Sequence, residues 1–235
     1  MAVLKKKPAV FFGLALIIAV AGVGVELVFT PDYTDVNLYE HAYESNAALW
    51  GKVLIGLATM ILGLAIQGAF AYAVFRVMRD EDAGVGDSIT RGMARVVPLA
   101  LVAILTGILT SIGLALLVIP GLILICMWAV AVPACVVEKL GPLESLSRSA
   151  NLTKGYRMPI FGLFFLTYLA IYALNYFMAS IVAAATGSYV TAIVISAVIG
   201  VIPETFLYVL TATVYYDLRS AKEGISLDSL VNVFD

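Results

Sequence analysis

The chain predicts an all-α integral membrane protein with six transmembrane helices, both termini cytoplasmic, and two short interfacial amphipathic helices. Three observations carry that prediction. Hydrophobic residues make up 62% of the 235 and charged residues only 13%, against about 45–50% and about 25% in a soluble domain. The apolar excess falls into six runs, most of them longer than the ~18 residues at which a run reads as a spanning helix. If these runs cross a bilayer in alternation, all but Lys52 of the 14 Lys and Arg residues fall on one side. The positive-inside rule makes that side the cytosol.

The first span is expected at 8–30, behind Lys5, Lys6 and Lys7. Lysines before an apolar run resemble a secretory signal, but this run exceeds the usual 7–15-residue core of such signals and reads as a retained helix. The remaining spans are expected at 48–75, 96–118, 121–137, 159–185 and 189–216, forming a single polytopic domain over 1–235. The loop at 31–47 holds Asp32, Asp35, Glu40 and Glu44 and no Lys or Arg, as an outer loop should. The segments at 76–95 and 138–158 hold Arg76, Arg79, Arg91 and Arg95, then Lys139, Arg148, Lys154 and Arg157. Arg219 and Lys222 follow the last span, and Thr186-Gly187-Ser188 is a short outer turn.

Ile119-Pro120-Gly121 is expected to form another outer turn, because proline disfavours helix in the residue before it and glycine permits tight reversal. The alternative is one long helix kinked at Pro120. About forty apolar residues would make roughly 60 Å of helix, twice the ~30 Å hydrocarbon core, which favours the turn.

The two inner segments resemble each other. Ser88-Ile89-Thr90-Arg91-Gly92 leads to Arg95 and Pro98, and Ser145-Leu146-Ser147-Arg148-Ser149 leads to Lys154, Arg157 and Pro159. In the second, Leu143, Leu146 and Ala150 form a short apolar stripe, so it can lie flat among headgroups. The pairing hints at a repeated unit of span, interfacial helix and span.

Among residues able to carry chemistry, Glu204 stands out. It follows Pro203 deep in the last span, where an ionisable side chain is costly and marks a functional candidate. Ala192, Ser196, Gly200 and Glu204 recur every four residues, a small-residue face that lets another helix approach. Glu204 is therefore expected to face protein, as a structural carboxyl, as a group that handles ions or protons, or as a contact for a partner. Tyr168, Tyr172, Asn175, Tyr176 and Ser180 share one face of the fifth span, where they either line a wet path towards Glu204 or anchor packing through their hydroxyls. Gln67 is a third intramembrane polar group. Glu26 and Lys52 lie near the outer edge, placed to pair or to snorkel. Trp50, Tyr33, Tyr39 and Tyr43 suit an outer aromatic belt.

Other classes of function are disfavoured. The one histidine, His41, lies among acidic loop residues at a spacing that matches no defined metal site. It cannot complete a Ser/His/Asp set at the inner face, and no phosphate-binding glycine loop is present. Cys126 and Cys135 are nine residues apart, ~13–14 Å along one helix, too far for a disulfide. No stretch is both basic and rich in aromatics, which argues against nucleic acid. No cofactor and no metal are expected.

The stretches Ile119-Pro120-Gly121, Val132-Pro133 and Gly141-Pro142-Leu143-Glu144-Ser145-Leu146-Ser147-Arg148-Ser149-Ala150-Asn151-Leu152-Thr153-Lys154-Gly155 carry a resemblance. So do Tyr215-Tyr216-Asp217-Leu218-Arg219 and Lys222-Glu223-Gly224. Over roughly residues 50–235 the chain resembles uncharacterised bacterial multi-span proteins related to the membrane domain of glycerophosphoryl diester phosphodiesterases. In that family hydrolysis belongs to a separate soluble barrel, for which this sequence has no room. The resemblance therefore implies a membrane module of the bacterial cytoplasmic (inner) membrane, with no catalytic residue to carry over.

The leading expectation is a non-enzymatic membrane module that serves as a scaffold, partner-binding or lipid-associated subunit. Arg91, Arg95, Arg148, Lys154 and Arg157 would meet anionic lipid headgroups. The alternative is a small transporter or channel using Glu204, Gln67, Asn175 and the fifth-span tyrosines. Small residues in the second span (Gly56, Gly63) and third span (Gly107, Ser111) suit either the bundle or a homo-oligomer or membrane-protein partner.

Overall fold

The computed structural model describes residues 8–29, 46–79, 81–185 and 189–224. These residues form helices α1 (Pro8–Phe29), α2 (Asn46–Met78), α3 (Val85–Met93), α4 (Val96–Leu116), α5 (Val118–Met127), α6 (Ala131–Val137), α7 (Pro142–Thr153), α8 (Arg157–Ala185) and α9 (Tyr189–Glu223). No strand occurs among them. Five stretches are long and apolar enough to cross a membrane: Val53–Met78, Val96–Leu116, Val118–Val137, Arg157–Val182 and Val198–Glu223. Helix α1 is also apolar, but its counted stretch, Pro8–Gly24, is shorter than those five. The chain is thus an all-helical, multi-pass membrane protein by the length and composition of its helices. The expected outer loop with His41 and its tyrosines, Glu26, Lys52 and the 186–188 turn fall outside the described residues or side chains.

Helix α2 is central. Its Ile66, Ala69, Phe70, Ala73, Val74 and Val77 pack against Val10, Phe11 and Leu14 of α1 and Val209 and Ala212 of α9. Phe70 sits between Phe11, at 6.2 Å between ring centroids, and Tyr208, at 5.2 Å. The other side of α2 presents Leu64 and Ala71 to a core with Leu99, Val102, Ala131, Cys135 and Leu146. Alanines along α2 keep these contacts close, which matters in lipid, where packing replaces the hydrophobic drive between helices. Helix α8 by contrast turns most of its side chains outward, including Phe165, Leu166 and Phe177.

Two predicted spans differ from the helices at the ends that carry Arg76 and Arg219. Helix α2 has 33 residues and α9 has 35, so each is about 50 Å long against a core of ~30 Å. Each overhangs by several turns, and the overhang carries charge.

The reversal between α4 and α5 lies at Leu117, two residues before the expected turn. Leu117 alone is extended, with φ −157° and ψ 140°. Pro120 falls in the first turn of α5, where the missing N–H has no intrahelical partner to lose. A Cβ on Gly113 would sit 3.1 Å from the Gly121 Cα. Those residues meet only if the helices fold back on one another, which excludes the single kinked helix.

The expected fourth span is also interrupted, at 128–130. Pro133 cannot donate to the Ala129 carbonyl and its ring crowds it, so the helix breaks and restarts as α6. Helix α7 repairs the break. The Ser149 and Thr153 hydroxyls donate to the Met127 carbonyl at 2.9 and 3.2 Å, and the Val130 N–H donates to Ser149 Oγ at 3.3 Å.

Helices α3 and α7 stand where two short helices were expected, but both are seated on the bundle by small and hydroxyl side chains. In α7 the buried set is Ser145, Leu146, Ser149, Leu152 and Thr153. Of the predicted stripe, Leu146 is buried while Leu143 is 71% exposed. In α3 the buried residues are Ser88 and Gly92. The likeness of the two segments extends to their construction. Each helix follows a glycine, Gly84 or Gly141, whose carbonyl accepts the hydroxyl of Ser88 at 2.8 Å or Ser145 at 2.7 Å.

Candidate functional site

The polar chemistry of the described residues gathers at one end of the bundle, in two clusters built on the same local pattern. Tyr72 and Arg76 are one helical turn apart at the end of α2, and Tyr215 and Arg219 are so placed at the end of α9. This spacing puts both side chains on one face. Each arginine donates to its tyrosine hydroxyl, at 3.2 and 3.3 Å.

The α9 cluster is closed and charge-balanced. Glu138, which follows α6, accepts from Arg148 Nε at 2.9 Å through both oxygens and from the Tyr215 hydroxyl at 2.6 Å. Glu223 accepts from Arg148 Nη2 and from Arg219 Nε. Two guanidinium groups thus share two carboxylates. Burial alone would lower the pKa of Arg148, but its hydrogen bonds to Glu223 and Glu138 outweigh that and hold it above its ordinary value. The network ties α9 to the α6–α7 junction. Arg148 is therefore occupied within the protein, not presented to headgroups as the sequence suggested. Lys222 likewise donates to the Asn151 carbonyl. Lys154 is exposed and Arg157 half-buried.

The α2 cluster is open. Arg76, Arg79, Arg91, Arg95 and Lys139 line a cavity of about 440 Å³ together with Tyr72 and Glu81. Arg76 Nε and Arg79 Nε each lie 2.8 Å from a different oxygen of Glu81. Arg76 Nη2 also donates to the Asp82 carbonyl at 2.8 Å. Tyr72 donates to Asp87 at 3.0 Å, and its ring lies under the guanidinium groups of Arg76 and Arg91, 5.8 and 5.9 Å from the centroid. Asp87 is 3.8 Å from Arg91. These ring contacts hold cations side by side without neutralising them. Lys139 has φ 56°, the sole positive φ of a non-glycine among the described residues. That turn lets consecutive side chains, Glu138 and Lys139, serve the two clusters separately.

The intramembrane candidates are placed differently. Glu204 is exposed rather than packed against protein, and it lines a recess of about 310 Å³ with Asn175, Gly200 and residues of α1. Gly200 has nothing within 4 Å of a Cβ position, so no helix approaches closely at that residue. Ala192 and Ser196 have no described side chains. Tyr168, Tyr172 and Tyr176 are 57%, 73% and 72% exposed, so they line no internal path. Asn175 donates to the Ile171 carbonyl of its own helix at 3.0 Å, and Ser180 to that of Phe177 at 2.7 Å. Gln67 is half-buried in α2. A Cβ on Gly63 or Gly107 would meet nothing within 4 Å, so those glycines are not used for packing within the chain.

Of the basic residues singled out in the sequence, Arg91 and Arg95 reach the open cavity. Arg76, Arg79 and Lys139 join them and were not singled out. The signal for Arg76 was the doubled Tyr-x-x-x-Arg at the ends of α2 and α9; Arg79 and Lys139 carry no such pattern. No protein-family model, no curated protein and no solved structure matches the chain.

Proposed function

We propose that the chain is a non-enzymatic module of the cytoplasmic membrane. It crosses six times, keeps both termini inside, and engages anionic headgroups at its inner end. What supports the reading is the gathering of Arg76, Arg79, Arg91, Arg95 and Lys139 around one cavity at a common end of the helices. Cations at that level gain about 1 kcal/mol each from an anionic leaflet. The resemblance to glycerophosphodiesterase membrane domains adds the expectation of a module without a catalytic barrel. The test is lipid composition. Purified protein should carry anionic lipid in excess over its share of the membrane. Arg91→Ala with Arg95→Ala should reduce that excess, and equal anionic fractions in the protein and the bulk would sink the reading.

A second reading, a transporter or channel, draws on the recess beside Glu204. Glu204→Gln should then abolish an ion or proton flux in proteoliposomes while the protein still folds. Absence of flux in the unaltered protein, across monovalent cations and protons, rejects it.

A further inference from the structure

The two clusters share a plan but differ in charge. Around Glu138 and Glu223, two guanidinium groups meet two carboxylates. Around Tyr72, five cations face a cavity that Glu81 alone lines as an anion among the described residues; Asp87 sits against Arg91 and the Tyr72 hydroxyl. Glu81 stretches its two oxygens between Arg76 and Arg79, yet the buried Nε–H groups of both arginines lack hydrogen-bond alignment to it. Buried guanidinium donors without aligned acceptors are costly. The one strained non-glycine backbone among the described residues belongs to Lys139, on the wall of the same cavity. Strain of this kind is kept where the surroundings impose it, commonly at ligand sites. The volume, about 440 Å³, falls within the ~300–1,000 Å³ of small-ligand sites.

We propose that this cavity binds one phosphate group, held by Arg76 and Arg79 in the place Glu81 now occupies, with Arg91, Arg95 and Lys139 supplying further donors. A phosphate fits better than a carboxylate. It offers three or more acceptor oxygens to guanidinium forks that match them two at a time. Glu81 acts as a tethered competitor that closes the site when it is empty. The phosphate can belong to a lipid headgroup, because the cavity lies at the helix ends, or to a soluble phosphorylated molecule. The lipid case rests on the function proposed above; the site itself does not.

The experiment uses the full chain in discs of phosphatidylcholine. Its unfolding midpoint is followed while short-chain phosphatidic acid, glycerol 3-phosphate or inorganic phosphate is titrated. A saturable rise is expected, weakened about tenfold or more in Arg79→Gln and Arg95→Gln and strengthened severalfold in Glu81→Gln. The Glu81→Gln arm reads a gain, so a folding defect cannot imitate it. A saturable response to phosphatidic acid alone assigns the site to a lipid, and equal responses to the soluble phosphates assign it to a free ligand. A rise that never saturates and ignores all three substitutions overturns the site while leaving general headgroup attraction standing. No response to any phosphate, in a protein that also shows no excess of anionic lipid, overturns both.

Discussion

Gly92→Ala is expected to unseat α3 from α2 and to lower the unfolding midpoint more than alanine at any other described glycine. A Cβ at Gly92 would lie 2.1 Å from the Ala65 carbonyl oxygen and 2.8 Å from the Ala69 nitrogen. Both are backbone atoms in the middle of the central helix, so neither can swing aside as a side chain would. Gly68 faces the same contact, with a Cβ position 3.2 Å from the Gly92 Cα. Overpacking a close contact typically costs about 1–3 kcal/mol, and immovable neighbours put this case at or above the upper end. Gly63→Ala is the control. It adds the same methyl to α2, the helix that α3 contacts, where nothing lies within 4 Å, and the gain in helix propensity of about 0.5–1 kcal/mol should leave it equal or slightly more stable. Thermal unfolding in one detergent compares the two directly. Matching midpoints would show that α3 is not held by backbone contact. The consequence reaches function, because α3 carries Arg91 to the wall of the basic cavity.

The second large effect is expected at Glu138. Glu138→Ala removes the acceptor shared by Arg148 and Tyr215 and leaves Arg148 and Arg219, whose side chains are 25% and 8% exposed, to share the single carboxylate of Glu223. Breaking one partner of a fully buried ion pair costs about 3–5 kcal/mol. The partial exposure of Arg148 screens this one, so about 2–3 kcal/mol is the reasonable expectation. Replacing both charges, Glu138→Ala with Arg148→Met, should recover part of the loss, with a coupling of at least about 1 kcal/mol across the cycle completed by Arg148→Met alone. Strictly additive losses would mean that the two side chains do not act as a pair. The same variants should shorten the protected length of α9 in hydrogen exchange, since the network anchors its last turns.

Much of the architecture was legible in advance because lipid removes options. A backbone inside hydrocarbon must bond to itself, so a run of apolar residues announces a helix with little ambiguity. The span starting at 96 was legible for that reason, and the short helices around Ser88 and Ser145 from the likeness of their two segments. Errors arose where a helix leaves the hydrocarbon. Hydropathy marks the end of a span at the first charges, yet α2 and α9 continue as helices past Arg76 and Arg219, because helix formation does not stop at the lipid boundary. The turn near Pro120 was displaced because proline is compatible with a first helical turn as well as with a stop.

The sites were less legible. Glu204 attracted attention as a lone carboxylate deep in a span, and the structure leaves it in an outward recess. Arg148 looked like a headgroup contact, but its partners are 10 and 75 residues away in the chain. Long-range ion pairs carry no local pattern. Neither does the seat of α7, where hydroxyls repair the break at Pro133. A serine face reads from sequence as solvated, not as a cap for another helix's carbonyl.

By itself, then, the order of residues determined that the chain is helical, apolar and multi-pass, since each of these follows from local composition meeting the dielectric of a bilayer. Which cations are spent on carboxylates within the protein and which stay around an open cavity was decided only by tertiary structure. Pairing energy depends on distances between side chains on different helices, and those distances exist only once α2, α3, α6, α7 and α9 have packed.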